Sequence, residues 1–138
     1  MRVSEKGKTL IKQFEGLRLE KYKDIGGKET IGYGHCGNNL PNKITLEQAE
    51  YYFENDIMAV EQRVNKYNNI YNFTQSEFDS LVSFCFNIGN IDQLTKDGTR
   101  SKKEIAEKMP FYCNVAGVMV QGLKNRRISE KNLFLTNT

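Results

Sequence analysis

Thr45-Leu-Glu-Gln48 opens a run in which Ala49, Phe53, Ile57, Val60, Val64 and Tyr67 recur at helical spacing. The repeat holds for about five turns. Threonine at the cap with glutamine three residues on is a capping box, in which side chain and backbone satisfy each other's free groups. A helix of that length within 138 residues commits the remaining chain to its two ends. Before it, residues 17–36 read differently: LRLEKYKD and ETIGYGH are β-like runs flanking Ile25-Gly26-Gly27-Lys28, a hairpin signature. Ahead of the hairpin, Ser4 can cap a first helix with Leu10, Ile11 and Phe14 on its apolar face and Gly16 as its stop.

Beyond the long helix, Thr74-Gln-Ser-Glu77 is a second capping box, followed by Phe78, Leu81, Val82, Cys85 and Phe86. Apolar residues nearly all round predict a buried core helix there. Ser101-Lys-Lys-Glu104 starts a short helix that Pro110 ends, and Gly122 precedes a basic helix carrying Leu123, Arg126, Arg127 and Leu133. The expected fold is α+β. A small β-hairpin lobe (about 15–45) and a larger helical lobe (1–14 and 68–138) are joined by the long helix (46–67) within one domain, 1–138. Two lobes on one helix leave a cleft, where extended substrates bind.

Composition narrows the chemistry. With 38% hydrophobic and 27% charged residues the chain is expected to be globular rather than disordered. Its formal charge of +3 would help docking onto an anionic polymer but is too mild for a nucleic-acid stripe, so no nucleic-acid partner is expected. Cys36, Cys85 and Cys113 are an odd number with no CxxC pair, so reduced buried thiols are expected rather than a disulfide framework. With a single His besides, no metal site is expected. MRVSEKGKTLIKQF lacks an apolar run long enough for a signal peptide, and nothing downstream approaches a membrane span. The expectation is synthesis in a host cytoplasm without stable membrane insertion, with transport by another agent to any substrate outside.

Two carboxylates stand out against this background. Cutting a glycosidic bond needs one carboxylic acid to protonate the leaving oxygen and a second carboxylate to activate water or attack directly. Glu15 falls at the C-terminal end of the first helix, where the negative end of the helix dipole disfavours ionisation, which suits a proton donor. Asp24 sits at the mouth of the hairpin among backbone N–H groups that favour an ionised carboxylate. Thr30, on the returning strand, offers a hydroxyl that can hold a water beside Asp24. Taken singly, a Glu before a Gly and an Asp before Ile-Gly-Gly are ordinary helix-end and turn residues. The combination and its spacing carry the argument.

Glu15-Gly-Leu-Arg-Leu, Tyr22-Lys-Asp24 and Thr30-Ile-Gly-Tyr-Gly-His35 resemble the phage-type lysozymes, glycoside hydrolase family 24, which are marked by Glu, eight residues, Asp, five residues, Thr. The resemblance continues through Thr45-Leu-Glu-Gln-Ala-Glu50, Leu81-Val-Ser-Phe-Cys-Phe-Asn-Ile-Gly89 and Gly122-Leu-Lys-Asn-Arg-Arg-Ile-Ser-Glu130, covering nearly the whole chain. It implies a lysozyme-like fold acting as a monomer on the glycan strands of bacterial peptidoglycan. The bond implied lies between N-acetylmuramic acid and N-acetylglucosamine, and no cofactor is needed. Glu15 is then the general acid, Asp24 the base or stabiliser and Thr30 the water-positioning hydroxyl. Arg126 falls where relatives pair an arginine with the glutamate, and is a candidate substrate-binding residue. Cys36 and Phe86 fall where relatives line the cleft, with core packing an equal explanation. His35 is expected to be a structural hydrogen-bonding residue, and Arg127 to lie on a solvated helix face about as readily as in a site.

Two departures bear on substrate preference: the chain has no tryptophan near Phe111-Tyr-Cys113, and 91–100 is polar. The rivals are a lytic transglycosylase, which needs one Glu and no second carboxylate, and a non-catalytic wall-binding or virion protein. Retention of both Glu15 and Asp24 disfavours them. The mechanism also predicts a turn. A two-residue Gly26-Gly27 loop would put Asp24 and Thr30 on opposite faces, so a three- or five-residue connection is expected, turning both toward Glu15.

Overall fold

A computed structural model of the protein describes residues 1–136. Helix α1 (Glu5–Glu15) is capped by Ser4, whose hydroxyl accepts from the Gly7 amide. It leads into a three-stranded antiparallel sheet of β1 (Arg18–Lys23), β2 (Glu29–Gly32) and β3 (His35–Cys36), in that spatial order. The long helix α2 (Leu46–Asn65) follows, then the short α3 (Asn68–Tyr71), the core helix α4 (Gln75–Ile88), α5 (Asp92–Thr95) and α6 (Lys102–Lys108). A 3-10 turn at Met109–Phe111 contains Pro110. A hairpin of β4 (Asn114–Val115) and β5 (Val118–Met119) precedes α7 (Gln121–Phe134).

Both expected capping boxes form, at Thr45 and Thr74, and Ser101 makes a third. Helix α2 links two apolar clusters. Its Ala49 packs with Ile31 and Ile44 beneath the sheet, while Phe53, Ile57, Val60 and Val64 enter the large cluster built around α4. Helix α4 is buried nearly all round, as its pattern predicts: Phe78, Leu81, Val82, Phe84 and Cys85 are wholly inaccessible.

Several expectations need correction. ETIGYGH is not one strand. Gly32 and Gly34 adopt left-handed φ values of +68° and +73°, and the chain turns there into β3. On α1 only Gly7 and Ile11 are buried, and Phe14 is 36% exposed. Helix α7 begins at Gln121, so Gly122 lies in its first turn. The polar segment 91–100 still inserts Ile91, Leu94 and Thr95 into the core. All three cysteines are free, but Cys36 is exposed rather than buried.

Candidate active site

The β1–β2 connection sets the geometry. Asp24 N–H donates to the Lys28 carbonyl at 2.8 Å, and Gly27 N–H donates to the Asp24 carbonyl at 2.9 Å. Ile25, Gly26 and Gly27 therefore form a three-residue loop. Gly27 takes the left-handed conformation (φ +85°) that such loops demand at their last position. The Cα register is Tyr22 opposite Thr30 and Lys23 opposite Glu29. Side chains alternate along a strand, so Tyr22, Asp24 and Thr30 share one face. The odd-numbered connection is the one the chemistry called for.

The Lys28 peptide sits between the two candidate side chains. Its N–H donates to Asp24 Oδ1 at 2.8 Å, and its carbonyl accepts from Thr30 Oγ1 at 3.0 Å. Thr30 is buried (2% exposed), opposite Cys36 in the β2–β3 register, with 3.6 Å between Oγ1 and Sγ.

Glu15 closes α1, and its carboxyl is bracketed. Arg126 Nη1 donates to Oε2 in a short ion pair. On the other side the Gly34 backbone presses so close that a Cβ there would stand 2.3 Å from Oε1. Glu15, Asp24 and Arg126 line one cavity of about 390 Å³, with Phe14, Ile25 and the start of α7 around Leu123. The structure thus gathers residues from α1, the hairpin turn and α7 at one place. Among the described residues no three His, Cys, Asp or Glu side chains gather where a metal ion could be held.

The secondary candidates divide. Arg126 is 3% exposed, and its guanidinium is engaged by Glu15, by Glu130 Oε2 at 3.1 Å and by the Ser83 carbonyl at 3.0 Å. It holds Glu15 rather than offering free donors to a substrate. Arg127, allowed a solvated face by the sequence, is fully buried, paired with Glu130 and lying 4.8 Å from the centre of the Phe84 ring. Phe86 is half-buried against Phe53 (centroids 5.6 Å apart) and is not among the cleft-lining side chains. Cys36 lines a neighbouring depression with Lys23, Lys28 and Glu29. His35 sits on the face opposite Thr30. Its Nδ1 lies 2.8 Å from Asp56 Oδ2 and its ring stacks on Tyr52 at 4.3 Å, tying β3 to α2. Burial pushes the Asp56 carboxyl up, against the opposing pull of His35.

Tyr22 and Gly34 are site residues that the sequence argument passed over. Burial, and then the Glu15 carboxylate, push the Tyr22 hydroxyl up, and Arg18 lies 4.5 Å from the centre of its ring. Alternation from Asp24 places Tyr22 on the cleft face, a signal present in the sequence. Gly34 gave none beyond its Gly-Tyr-Gly setting.

A profile of the phage lysozyme family matches residues 12–130. The endolysin of Bacillus phage PZA is 36% identical over the full chain, and that of Lactococcus phage c2 is 38% identical over 97% of it. The chain spans only 57% and 60% of those two relatives' own lengths. The endolysin of Acyrthosiphon pisum secondary endosymbiont phage 1 is similar end to end, 36% identical over 97% of this chain and 98% of its own. Among solved structures, the muramidase domain of SpmX from Asticaccaulis excentricus superposes with a TM-score of 0.80 at 34% identity, covering 99% of each chain. The endolysin from Escherichia coli O157:H7 phage FAHEc1 gives 0.78 at 38%, covering 100% of this chain and 96% of its own. The family profile, these identities and the shared fold agree: the chain belongs to the phage lysozyme family.

Proposed function

We propose that the protein is a muramidase, hydrolysing the β-1,4 bond between N-acetylmuramic acid and N-acetylglucosamine in peptidoglycan and so lysing bacterial walls. The observation that carries this reading is the placement of Glu15 and Asp24 in one cavity, on separate elements. Glu15 donates its proton to the glycosidic oxygen, and Asp24 accepts one from the water that attacks the sugar's anomeric carbon. Thr30 Oγ1 spends its own proton on the Lys28 carbonyl, so toward the cleft it acts as an acceptor that orients the water for Asp24. Attack by water inverts the anomeric centre. The chain works as a single domain and as a monomer, reaching wall glycan after release from the cytoplasm in which it is made. The names of its relatives, endolysin and muramidase, agree with this substrate.

Purified walls test the reading. Wild-type protein should clear them and liberate reducing muramic ends with inverted anomeric configuration. Anhydro-muramic ends would identify a transglycosylase instead. Glu15→Gln keeps the shape of the carboxyl without its proton and should lower clearing by at least about 10²-fold, with an unchanged circular dichroism spectrum. Substantial lysis by that folded variant would remove Glu15 from the acid role.

A further inference from the structure

Helix α7 carries three charged side chains into the interior where it crosses α4: Arg127 and Glu130 are completely buried and Arg126 nearly so. Glu130 is the hub. Its Oε2 accepts from Ser83 Oγ at 2.6 Å, Arg126 Nε at 3.1 Å and Arg127 Nη2 at 3.2 Å, while Arg127 Nε lies 2.7 Å from Oε1. Ser80 Oγ fixes the Glu130 carbonyl at 2.6 Å. Arg126 is clamped in turn by the Ser83 carbonyl through Nη2, which leaves Nη1 aimed at Glu15.

Burying such a cluster strips hydration from every charge, and apolar replacements of similar volume are often as stable. Net stability is therefore a poor reason for it. Two members of the quartet line the cleft, and Glu15, with 16% of its side chain exposed against 4% for Arg126, is the more open of them. Burial pushes the Glu130 carboxyl up, while Arg127, Arg126 and Ser83 pull it down. Two guanidiniums face two carboxyls, so Glu130 governs how much of Arg126's charge is left to act on Glu15. We propose that Glu130, held by Ser83, is a positioning residue for Glu15: it fixes the Arg126 fork and limits the positive charge facing the proposed acid.

The inference rests on the hydrolase reading above. Without the Glu130 charge, Arg126 and Arg127 would turn their positive charge undivided on Glu15. The other groups that face this pair of acids are few. Helix α4 contributes the uncharged Ser80, Ser83 and Asn87. Strand β1 contributes Tyr22, the hairpin turn Asp24 and the 3-10 turn the Tyr112 carbonyl, 3.4 Å from Arg127 Nη1. On α1, Lys12 is spent on Glu50.

The test is wall clearing as a function of pH and wall concentration for wild type, Glu130→Gln, Glu130→Asp and Ser83→Ala. Glu130→Gln should move the alkaline limb of the profile down by about one pH unit, with kcat lowered and the half-saturating wall concentration little changed. Glu130→Asp should return the limb toward the wild-type position. Ser83→Ala, which removes no charge, should keep the limb but lower kcat several-fold by loosening the fork. A folded Glu130→Gln with the wild-type limb overturns the proposal. If Glu130→Gln does not fold, Ser83→Ala with wild-type kcat overturns it. Wild-type protein that leaves walls intact would sink the hydrolase reading and this inference with it, whereas active wild type with indifferent variants sinks the inference alone.

Discussion

A single methyl group distinguishes two roles for glycine in this protein. At position 34 it would collide with Glu15 Oε1 at 2.3 Å, in a backbone already at φ +73°, whereas at Gly117 (φ +78°) it would meet nothing within 4 Å. Both substitutions to alanine incur the left-handed penalty, about 1 kcal/mol. Gly34→Ala should in addition displace the Glu15 carboxyl and cut wall clearing at least about tenfold, in line with the sensitivity of catalysis to sub-ångström placement. Gly117→Ala should lose similar stability and keep its activity. Urea denaturation and wall turbidity on the two variants check the pair, and equal activities would show that Gly34 is a turn residue only. That Glu15 and Asp24 share one cavity was readable because their spacing and residue types are tied to one chemistry. The Gly34 contact was not, because it joins elements 19 residues apart through a backbone with no side chain to pattern.

At the level of elements, α1 meets α4 through Gly7. A Cβ there would stand 2.6 Å from Val3 Cγ2 and 2.8 Å from Asp79 Cγ, and Asp79 in turn accepts from the Ser4 amide at 2.9 Å and from its hydroxyl. Gly7→Ala should gain helix propensity yet destabilise the protein by about 1–3 kcal/mol through this overpacking. The denaturation midpoint decides, since a rise would mean that the contact relaxes freely. The same contrast explains which elements the sequence disclosed. The capping boxes at Thr45 and Thr74 and the helix start at Ser101 are local, four-residue statements, and all three formed. The β4–β5 hairpin was hidden because its turn uses Ala116 at φ +51°, a conformation alanine seldom adopts. On helix α7 the pairing of Arg126 with Glu15 was expected, but the burial of Arg127 and Glu130 was not, because a hydrophobic pattern assigns charged residues to solvent. Only the partners waiting on α4 and α1 make that burial affordable.

For the molecule as a whole, carboxylates tie its acid limit to its architecture. The Tyr67 hydroxyl and Lys66 hold Asp92 below the ordinary carboxylate range, the Ser101 amide holds Glu104 below it, and Lys12 does the same for Glu50. Each folded value lies below the unfolded one, so the unfolded chain binds more protons between the two. That stability is present above about pH 4 and is lost as pH falls below it. Half-buried Asp56 acts with the opposite sign. Thermal denaturation should give a Tm that falls on acidification below about pH 4. Asp92→Asn should melt lower at neutral pH and show a shallower acid slope, whereas a slope unchanged by that substitution would exclude Asp92 as a contributor.

The ion pair that completes the cleft joins residues 111 positions apart. Glu15 and Asp24 leave the ribosome before Arg126 and its Glu130 anchor, which arrive only with α7. Synthesis runs at about 5–20 residues per second, so for several seconds the nascent chain carries both carboxylates without the arginine that binds one of them. The cleft is therefore completed late, when α7 docks on α4, and under the proposed reading the activity would arrive with that docking.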